Sequence, residues 1–331
     1  MRIAVLDDYL RAARTLADWS AVEQRAQVTV FDRHLCDEDA AQALAPFDAI
    51  CHLRERMAMP RSLIERLPRL KFMVVTGQEH RTLDLQAATE RGILVSRAPN
   101  ASQGQSATPE LAWGLILALA RKIPQAAAAM KEGGWQRRCG RSLSGKTPGL
   151  VGLGRIGRAM VPVARAFGMD VLAWSSRLEP ADAQKAGASW ASKEDLLRRS
   201  DFISLHLVLG ERSRHTIGAP ELARMKPTAC LVNTARAGLV DTQALQQALA
   251  EGRLAGAALD VFDQEPLADE SPLRRLDNVI LTPHLGYTVE ETLSAFYRGT
   301  VECLLGFMDG HPVRTLNQPL LHPLFNPQEK A

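Results

Sequence analysis

Residues 148–168 read PGLVGLGRIGRAMVPVARAFG, and the fold turns on them. The apolar run Leu150-Val151 is followed by Gly152, Gly154 and Gly157 in the spacing G-x-G-x-x-G. Ile156, Met160, Val163, Ala164 and Phe167 then recur at helical spacing as far as Gly168. A lone hexamer of this kind is weak, but a strand before it and a helix after it make it a phosphate cradle. Gly152 permits the tight turn, Gly154 lets the backbone approach a pyrophosphate, and Gly157 lets the helix pack closely on the strand. Free N–H groups at the helix start then receive the anion. The bland alternative is a glycine turn that holds nothing. Pro162 has no N–H to return to Arg158 and is expected to kink the second turn of the helix.

Working outward, DVLAWS, DFISLH, ACLVNTA, AGAALDVF and NVILTPH follow as strand candidates, which with PGLVGLG makes six. On the N-terminal side RIAVLDD, VTVFDR, DAICHL, LKFMVVTG and GILVS read as strands, with PRSLIERL and LDLQAATERG as helices between them. Strands that are apolar throughout belong in parallel sheets covered on both faces. The expected fold class is therefore α/β with two doubly wound domains. Residues 100–287 are expected to form a Rossmann-type dinucleotide-binding domain, and residues 1–99, completed by 288–331, a flavodoxin-like substrate domain. SATPELAWGLILALARKI (106–123) is apolar almost all round, as suits a helix buried between two layers or two chains. Val289 to Met308 reads as a helix, and the proline-rich remainder as irregular.

Length and charge bound the function. At 331 residues the chain has room for about two domains. Forty Lys+Arg stand against 37 Asp+Glu, a net +3 with the signs mixed, which gives nucleic-acid binding no support. The longest apolar run, Leu111 to Ala120, is too short to span a bilayer, and Asp7 and Asp8 interrupt the only apolar N-terminal stretch, so neither a membrane partner nor a secretory signal is expected. Cys36, Cys51, Cys139, Cys230 and Cys303 are scattered, with no C-x-x-C and no histidine spaced to share a metal. They read as buried thiols of a cytoplasmic protein without a metal site.

Ligands of open parallel sheets bind beyond the carboxyl ends of the strands. The residues there are Gly152, Ser175, His206, Thr234, Asp260 and His284. About twenty residues past the cradle, where an NAD site places an acid on the ribose, this chain has Ser175-Ser176-Arg177. Two hydroxyls and a guanidinium suit a 2′-phosphate, so NADP is favoured over NAD. The alternative is a solvated Arg177 and NAD held by other contacts. Three further strand ends, Asn233-Thr-Ala-Arg236, Asp260-Val-Phe-Asp-Gln-Glu265-Pro266 and Pro283-His-Leu-Gly286, together offer a cation, an acid and an imidazole. Reduction of a 2-oxo acid needs a cation for the carboxylate and carbonyl, and a proton donor for the developing alkoxide. Arg236 and His284 fit those roles. A neighbouring carboxylate keeps the proton on an imidazole, and Glu265 is the candidate. Taken singly, each has a dull reading: an ion-pair arginine, a helix-start acid, a core histidine.

These segments resemble the D-isomer-specific 2-hydroxyacid dehydrogenase family over nearly the whole chain. The matching stretches are Leu53-Arg-Glu-Arg56, Gly92-Ile93, the Glu110 helix, Gly149 to Gly157, Asn233 to Arg236, Asp260-Val-Phe with Glu265-Pro266, and Pro283-His284. The resemblance implies that Arg236 binds substrate, Glu265 pairs with His284, and His284 gives or takes the proton. It further implies that Asp260 accepts from the nicotinamide carboxamide, and that Thr108, Arg155, Ile156, His206, Leu207, Thr234 and Ala235 line the cofactor, with Gly286 beside them. It implies a small-molecule substrate, a cleft between two domains and a homodimer built on the helix starting near Thr108. Backbone amides after LKFMVVT, at Gly77 and Gln78, are expected to hold the substrate carboxylate. Here the chain departs from the family's G-x-G-x-D, with Gly77-Gln-Glu-His-Arg81 followed by Asp84. Arg54 and Arg56 resemble the basic loop of phosphoglycerate-oxidising members, or are a solvated pair. Pro109 stands where an alanine is usual, and proline is tolerated near a helix start. Hydroxypyruvate or glyoxylate reduction is the leading expectation, with phosphoglycerate oxidation as the runner-up. Formate oxidation is disfavoured, since that branch has glutamine where Glu265 stands. A cofactor-sensing corepressor or a relic enzyme would keep the fold and lose the turnover.

Overall fold

The computed structural model describes residues 1–77, 80–99 and 107–319. They fall into two compact units, one made of residues up to 99 together with 289–319 and the other of residues 107–288.

The first unit is a five-stranded parallel sheet of β1 (Arg2–Val5), β2 (Gln27–Val30), β3 (Ala49–Cys51), β4 (Phe72–Thr76) and β5 (Leu94–Ala98), in the order β2-β1-β3-β4-β5. That is the flavodoxin-like strand order. The sequence alternates with sheet position as burial requires. Central β4, FMVVT, is buried at every residue, while edge strand β2 keeps partial exposure. Leu6, Leu44, Ile50, Met59, Ile64, Met73 and Ile93 form a core on one side. The Glu290–Met308 helix packs on β4 and β5, with Phe307 stacked on Phe72 at 4.2 Å between ring centroids. Gly299 admits that approach, because a Cβ there would overlap the Pro99 ring. Beyond the helix, Asn317 donates its amide to the Ile93 carbonyl and accepts from the Val95 N–H. The irregular tail is thus tied to the sheet as far as it is described.

The second unit is a seven-stranded parallel sheet. Its strands are β6 (Pro148–Val151), β7 (Leu172–Trp174), β8 (Ser189–Trp190), β9 (Phe202–Leu205), β10 (Cys230–Asn233), β11 (Gly256–Leu259) and β12 (Val279–Leu281). Their order is β12-β11-β10-β9-β6-β7-β8. Read from β6, this is the Rossmann order with one strand added at the β12 edge, and the direction in which successive strands are laid down reverses between β6 and β9. The sequence reading of six strands is corrected to seven. β8 is a two-residue edge strand, both residues exposed, and it leaves no apolar run to read. One face is covered by the Ala107–Arg121 and Arg155–Ala166 helices, through Ala112, Trp113, Ile116, Leu119, Met160 and Ala164. The other is covered through Leu196, Leu197, Leu222, Leu245 and Leu249. The Arg155–Ala166 helix runs on through Pro162.

The stretch read as a helix over 106–123 is the single helix Ala107–Arg121, and a second, unread helix follows it. Lys122 turns left-handed at φ +55°, and Ile123–Lys131 starts again with Pro124 in its first turn and no buried residue. Among the described residues no helix is long and apolar enough to cross a membrane. All five cysteines are free; Cys51, Cys230 and Cys303 are buried, but Cys36 and Cys139 are exposed, which corrects their reading as core thiols.

Candidate active site

The cradle is built as its glycines require. Gly152 leaves β6 at φ +104°, and a Cβ there would stand 2.8 Å from the His206 carbonyl. A Cβ on Gly157 would overlap the Gly152 carbonyl oxygen, so only glycine lets the helix start so close to the strand. Gly154 is different, because nothing lies within 4 Å of where its Cβ would be. It is the N-cap of the Arg155–Ala166 helix, with no capping side chain and no acid in the first turn, so the positive end of the helix faces open space. Ile156 is half-buried there and Arg155 exposed.

Buried polar atoms point the same way. His206 Nε2 at the end of β9 and Thr234 Oγ1 at the end of β10 have no partner among the described residues. Burial pushes the His206 imidazole down to about 4, so it is neutral at pH 7. A dinucleotide, rich in hydroxyls and phosphate oxygens, fits such a set: an uncapped helix end, room over Gly154 and orphaned buried polar groups. Leu207 follows His206, its N–H against Gly152. Past β7, Ser175 is half-buried while Ser176 and Arg177 are exposed in a turn closed by the Leu178 N–H donating to the Ser175 carbonyl.

Beyond β10 the chain turns sharply, and Asn233 holds the turn. Its amide donates to the Arg236 carbonyl at 2.9 Å, and its carbonyl oxygen accepts from the Ala235 N–H at 3.1 Å. Half-buried Ala235 and Arg236 are thereby presented at the strand end. The sequence reading quoted Asn233 without giving it a task. Its signal was available, since a buried asparagine at the start of a turn commonly bonds its own backbone.

Glu265 and His284 meet. The His284 Nδ1 lies 2.7 Å from Glu265 Oε2, and Glu265 Oε1 accepts from the Phe262 N–H at 2.9 Å. Burial pushes the Glu265 carboxyl up. The hydrogen bond and charge of His284, the Phe262 N–H and the charge of Arg236 outweigh it and hold the group below the ordinary glutamate range. His284 itself sits at φ +53°, a sparsely populated conformation for a residue with a side chain. Asp260 fixes it there. Fully buried at the end of β11, its carboxylate accepts from the Thr282 hydroxyl at 2.6 Å, the Leu285 N–H at 2.7 Å and the Gly286 N–H at 2.9 Å. Burial outweighs these donors and leaves the Asp260 carboxyl above its ordinary range. Thr108 completes the turn, its hydroxyl donating to the Gly286 carbonyl at 2.6 Å. The ring of Tyr287 meets His284 edge-on at 5.5 Å. Thr282 and Tyr287 went unread in the sequence.

In the first unit, Arg54 follows β3 at φ +59°, and its N–H donates to the Thr76 hydroxyl at 2.7 Å. Its guanidinium lies where a Cβ on Gly77 would be. Arg56 donates to the Asp7 carbonyl at 2.7 Å and lies over the Tyr9 ring at 4.9 Å. Gln78 and Glu79 fall outside the described residues. Among the described residues no group of three or more histidine, cysteine or acidic side chains could hold a metal.

The family model for the D-isomer specific 2-hydroxyacid dehydrogenase NAD binding domain matches residues 113–286. The chain is 42% identical over 264 residues to D-3-phosphoglycerate dehydrogenase of Methanocaldococcus jannaschii, a match covering 79% of this chain and 50% of that protein. It therefore spans about half the length of that relative. It is 39% identical over 271 residues to glyoxylate reductase of Thermococcus litoralis, covering 79% of this chain and 81% of the other. The crystal structure of a phosphoglycerate oxidoreductase from Vibrio cholerae O395 superposes with a TM-score of 0.87 at 34% identity, over 93% of this chain and 99% of that one. With its parallel sheets, its glycine cradle and a family match over more than half its length, the chain belongs to the D-isomer-specific 2-hydroxyacid dehydrogenases, oxidoreductases with a Rossmann NAD-binding domain.

Proposed function

We propose that this protein reduces a small 2-oxo acid, hydroxypyruvate or glyoxylate, to its D-2-hydroxy acid with NADPH. The observation that carries the reading is the 2.7 Å bond between His284 Nδ1 and Glu265 Oε2. An ionised carboxylate on Nδ1 keeps that nitrogen protonated and leaves Nε2 as the atom that donates the proton to the substrate's keto oxygen. Arg236, whose charge is felt at Glu265, binds the substrate carboxylate and polarises the carbonyl. The nicotinamide, when bound, supplies the hydride. Gly152, Gly154, Gly157, Arg155 and Ile156 hold its pyrophosphate, and Thr234, Ala235, His206, Leu207, Thr108 and Gly286 line its path. Asp260 Oδ2 accepts one bond, from the Gly286 N–H past β12, and has a lone pair left for a carboxamide.

The preference for NADPH rests on Ser175, Ser176 and Arg177 at the end of β7, where no acid stands to repel a 2′-phosphate. In this reading the unit of 107–288 is the nucleotide-binding domain. The unit containing residues 1–99 and 289–319 binds substrate through Gly77, Gln78 and Arg54. The compartment is the cytosol, in keeping with five free cysteines. The working form is a homodimer. Ile123, Met130 and Trp135 are 52%, 55% and 73% exposed on and after a helix that buries nothing, an apolar strip suited to a second copy.

A second reading, oxidation of a phosphorylated hydroxy acid, is favoured by Arg54 and Arg56, both just past β3, and by the M. jannaschii relative. A spectrophotometric assay at 340 nm tests both, with glyoxylate, hydroxypyruvate and pyruvate against NADPH and NADH, and 3-phosphoglycerate against both oxidised cofactors. Turnover of an oxo acid that is lost in His284→Ala supports the first reading. Turnover of 3-phosphoglycerate alone replaces it with the second, and tight cofactor binding with no turnover removes both.

A further inference from the structure

Thr282 follows β12 and precedes Pro283 and His284. The proline confines Thr282 to extended backbone, and the Thr282 N–H donates to the Leu259 carbonyl at 3.0 Å, so the residue stays paired to the end of β11. Its carbonyl accepts from the His284 N–H at 2.9 Å, a three-residue turn about Pro283 that the ring's fixed φ favours. Backbone bonds on both sides therefore decide where the Thr282 side chain stands. Its hydroxyl meets Asp260 Oδ1 at 2.6 Å, a bond between residues that end two adjacent strands.

The Asp260 carboxylate has its other bonds on the far side of the histidine. Oδ1 also accepts from the Leu285 N–H and Oδ2 from the Gly286 N–H. It can hold residues 285 and 286 only while its plane is turned towards them, and the torsion that sets an aspartate's plane is broad. The Thr282 hydroxyl fixes that torsion from the strand side. It also keeps the group charged: burial pushes the Asp260 carboxyl up, and the Thr282 hydroxyl is the strongest opposing influence, ahead of the Leu285 N–H, the charge of His284 and the Gly286 N–H. A charged acceptor holds an amide more firmly than a neutral one. Firm holding matters because His284 sits at φ +53°, a conformation that persists only where its surroundings over-determine it.

We propose that Thr282 is a positioning residue for the acid–base chemistry: its hydroxyl aims the Asp260 carboxylate at the Leu285 and Gly286 amides and so keeps the His284 imidazole seated on Glu265. The inference rests on the reading of His284 as the proton donor. Thr282 acts through two other side chains and touches neither substrate nor hydride. A hydroxyl that only satisfied a buried carboxylate would add to stability and leave the rate alone.

The test uses Thr282→Val, which keeps the branched shape and loses the donor, and Thr282→Ser, which restores it. With the oxo acid turned over by the wild type, kcat is expected to fall about tenfold in Thr282→Val, the lower end for a bond to a charged group, and to return to within about twofold in Thr282→Ser. In the cofactor-free protein, amide hydrogen exchange over residues 283–288 is expected to speed up about tenfold in Thr282→Val alone, with β6 and β9 unchanged. Because the effect runs through His284, Thr282→Val is expected to add no further loss to His284→Ala. An equal further loss in that background shows an action on something other than the histidine and overturns the proposal. So does an unchanged kcat with a lowered thermal midpoint, which leaves Thr282 a purely structural residue. Thr282→Ala takes the place of the valine variant if that one does not fold. His284→Ala by itself separates the two readings: if it keeps the wild-type rate, His284 is not the proton donor and the proposal falls with that reading, whereas a slow His284→Ala beside a fast Thr282→Val removes the proposal alone.

Discussion

Replacing Glu265 by glutamine removes one negative charge from His284 and one of the two acceptor oxygens in use there. The amide is isosteric; with its oxygen turned to accept from the imidazole Nδ1–H, its NH2 faces the Phe262 N–H and that bond is lost. The magnitude follows from the contact. Two unit charges at about 4 Å attract by about 1 kcal/mol in water and about 4 kcal/mol at the effective dielectric of a protein surface. The side chains here are 27% and 28% exposed, which places the pair between those limits. Hydrogen bonds to charged groups contribute about 1.5–3 kcal/mol, so about 2 kcal/mol is a fair value. Lost from the transition state, it lowers kcat/KM for reduction about 30-fold at neutral pH. The assay is NADPH oxidation at 340 nm across pH 5–9, with cofactor affinity followed by fluorescence quenching as a control expected not to move. A variant within twofold of wild type would refute the reasoning and leave Glu265 a scaffold for the Phe262 turn.

His284→Ala is expected to lower kcat by about 10²–10⁴, the usual weight of a positioned general acid, with NADPH binding retained; loss of binding instead would make the residue structural. Gly154→Ala is expected to keep the thermal midpoint while weakening the cofactor, since its Cβ meets nothing in the protein. Gly157→Val, driven into the Gly152 carbonyl, is expected to cost about 1–3 kcal/mol of stability, visible in a thermal melt. The reverse pattern would misplace the cradle. Arg177→Ala is expected to raise KM for NADPH about fivefold to tenfold and leave NADH alone, a selectivity that an unchanged NADPH KM would sink. Acid should destabilise the fold through His206. Its folded value of about 4 lies below the ordinary 6.5, so the unfolded chain takes up the proton first and stability is lost as pH falls from 6.5 towards 4. With its partial exposure allowed for, the loss is about 2 kcal/mol and should vanish in His206→Leu, as urea melts at pH 7.5 and 4.5 would show.

Much of this was legible in the sequence, for identifiable reasons. Buried parallel strands are apolar along their whole length, so PGLV, FISL, CLVN and GAAL stand out. A pyrophosphate turn needs glycine at fixed places, so residues 152–157 do too. What escaped was whatever carries no periodic signal. Ser189–Trp190 is too short to alternate. Lys122 ends the Ala107–Arg121 helix by a left-handed backbone rotation that residue type does not announce. Glu265 and His284 could be listed as partners, yet their contact depends on Asp260 holding residues 282–286, a relation between side chain and backbone across two strands.

The strand order β12-β11-β10-β9-β6-β7-β8 sets Ser175 and Arg177, past β7, on one side of the sheet and Arg236, Glu265 and His284, past β10, β11 and β12, on the other. With strands about 4.8 Å apart, the two groups are separated by about 14 Å or more. Side chains that far apart, sharing only the dinucleotide and only at its opposite ends, perturb free energy nearly independently. Choice of reductant and choice of reaction can then be edited separately. A cofactor swap at residues 175–177 and a change among the three reacting side chains should combine as the product of their single effects, so a library built at one end can be screened without regard to the other.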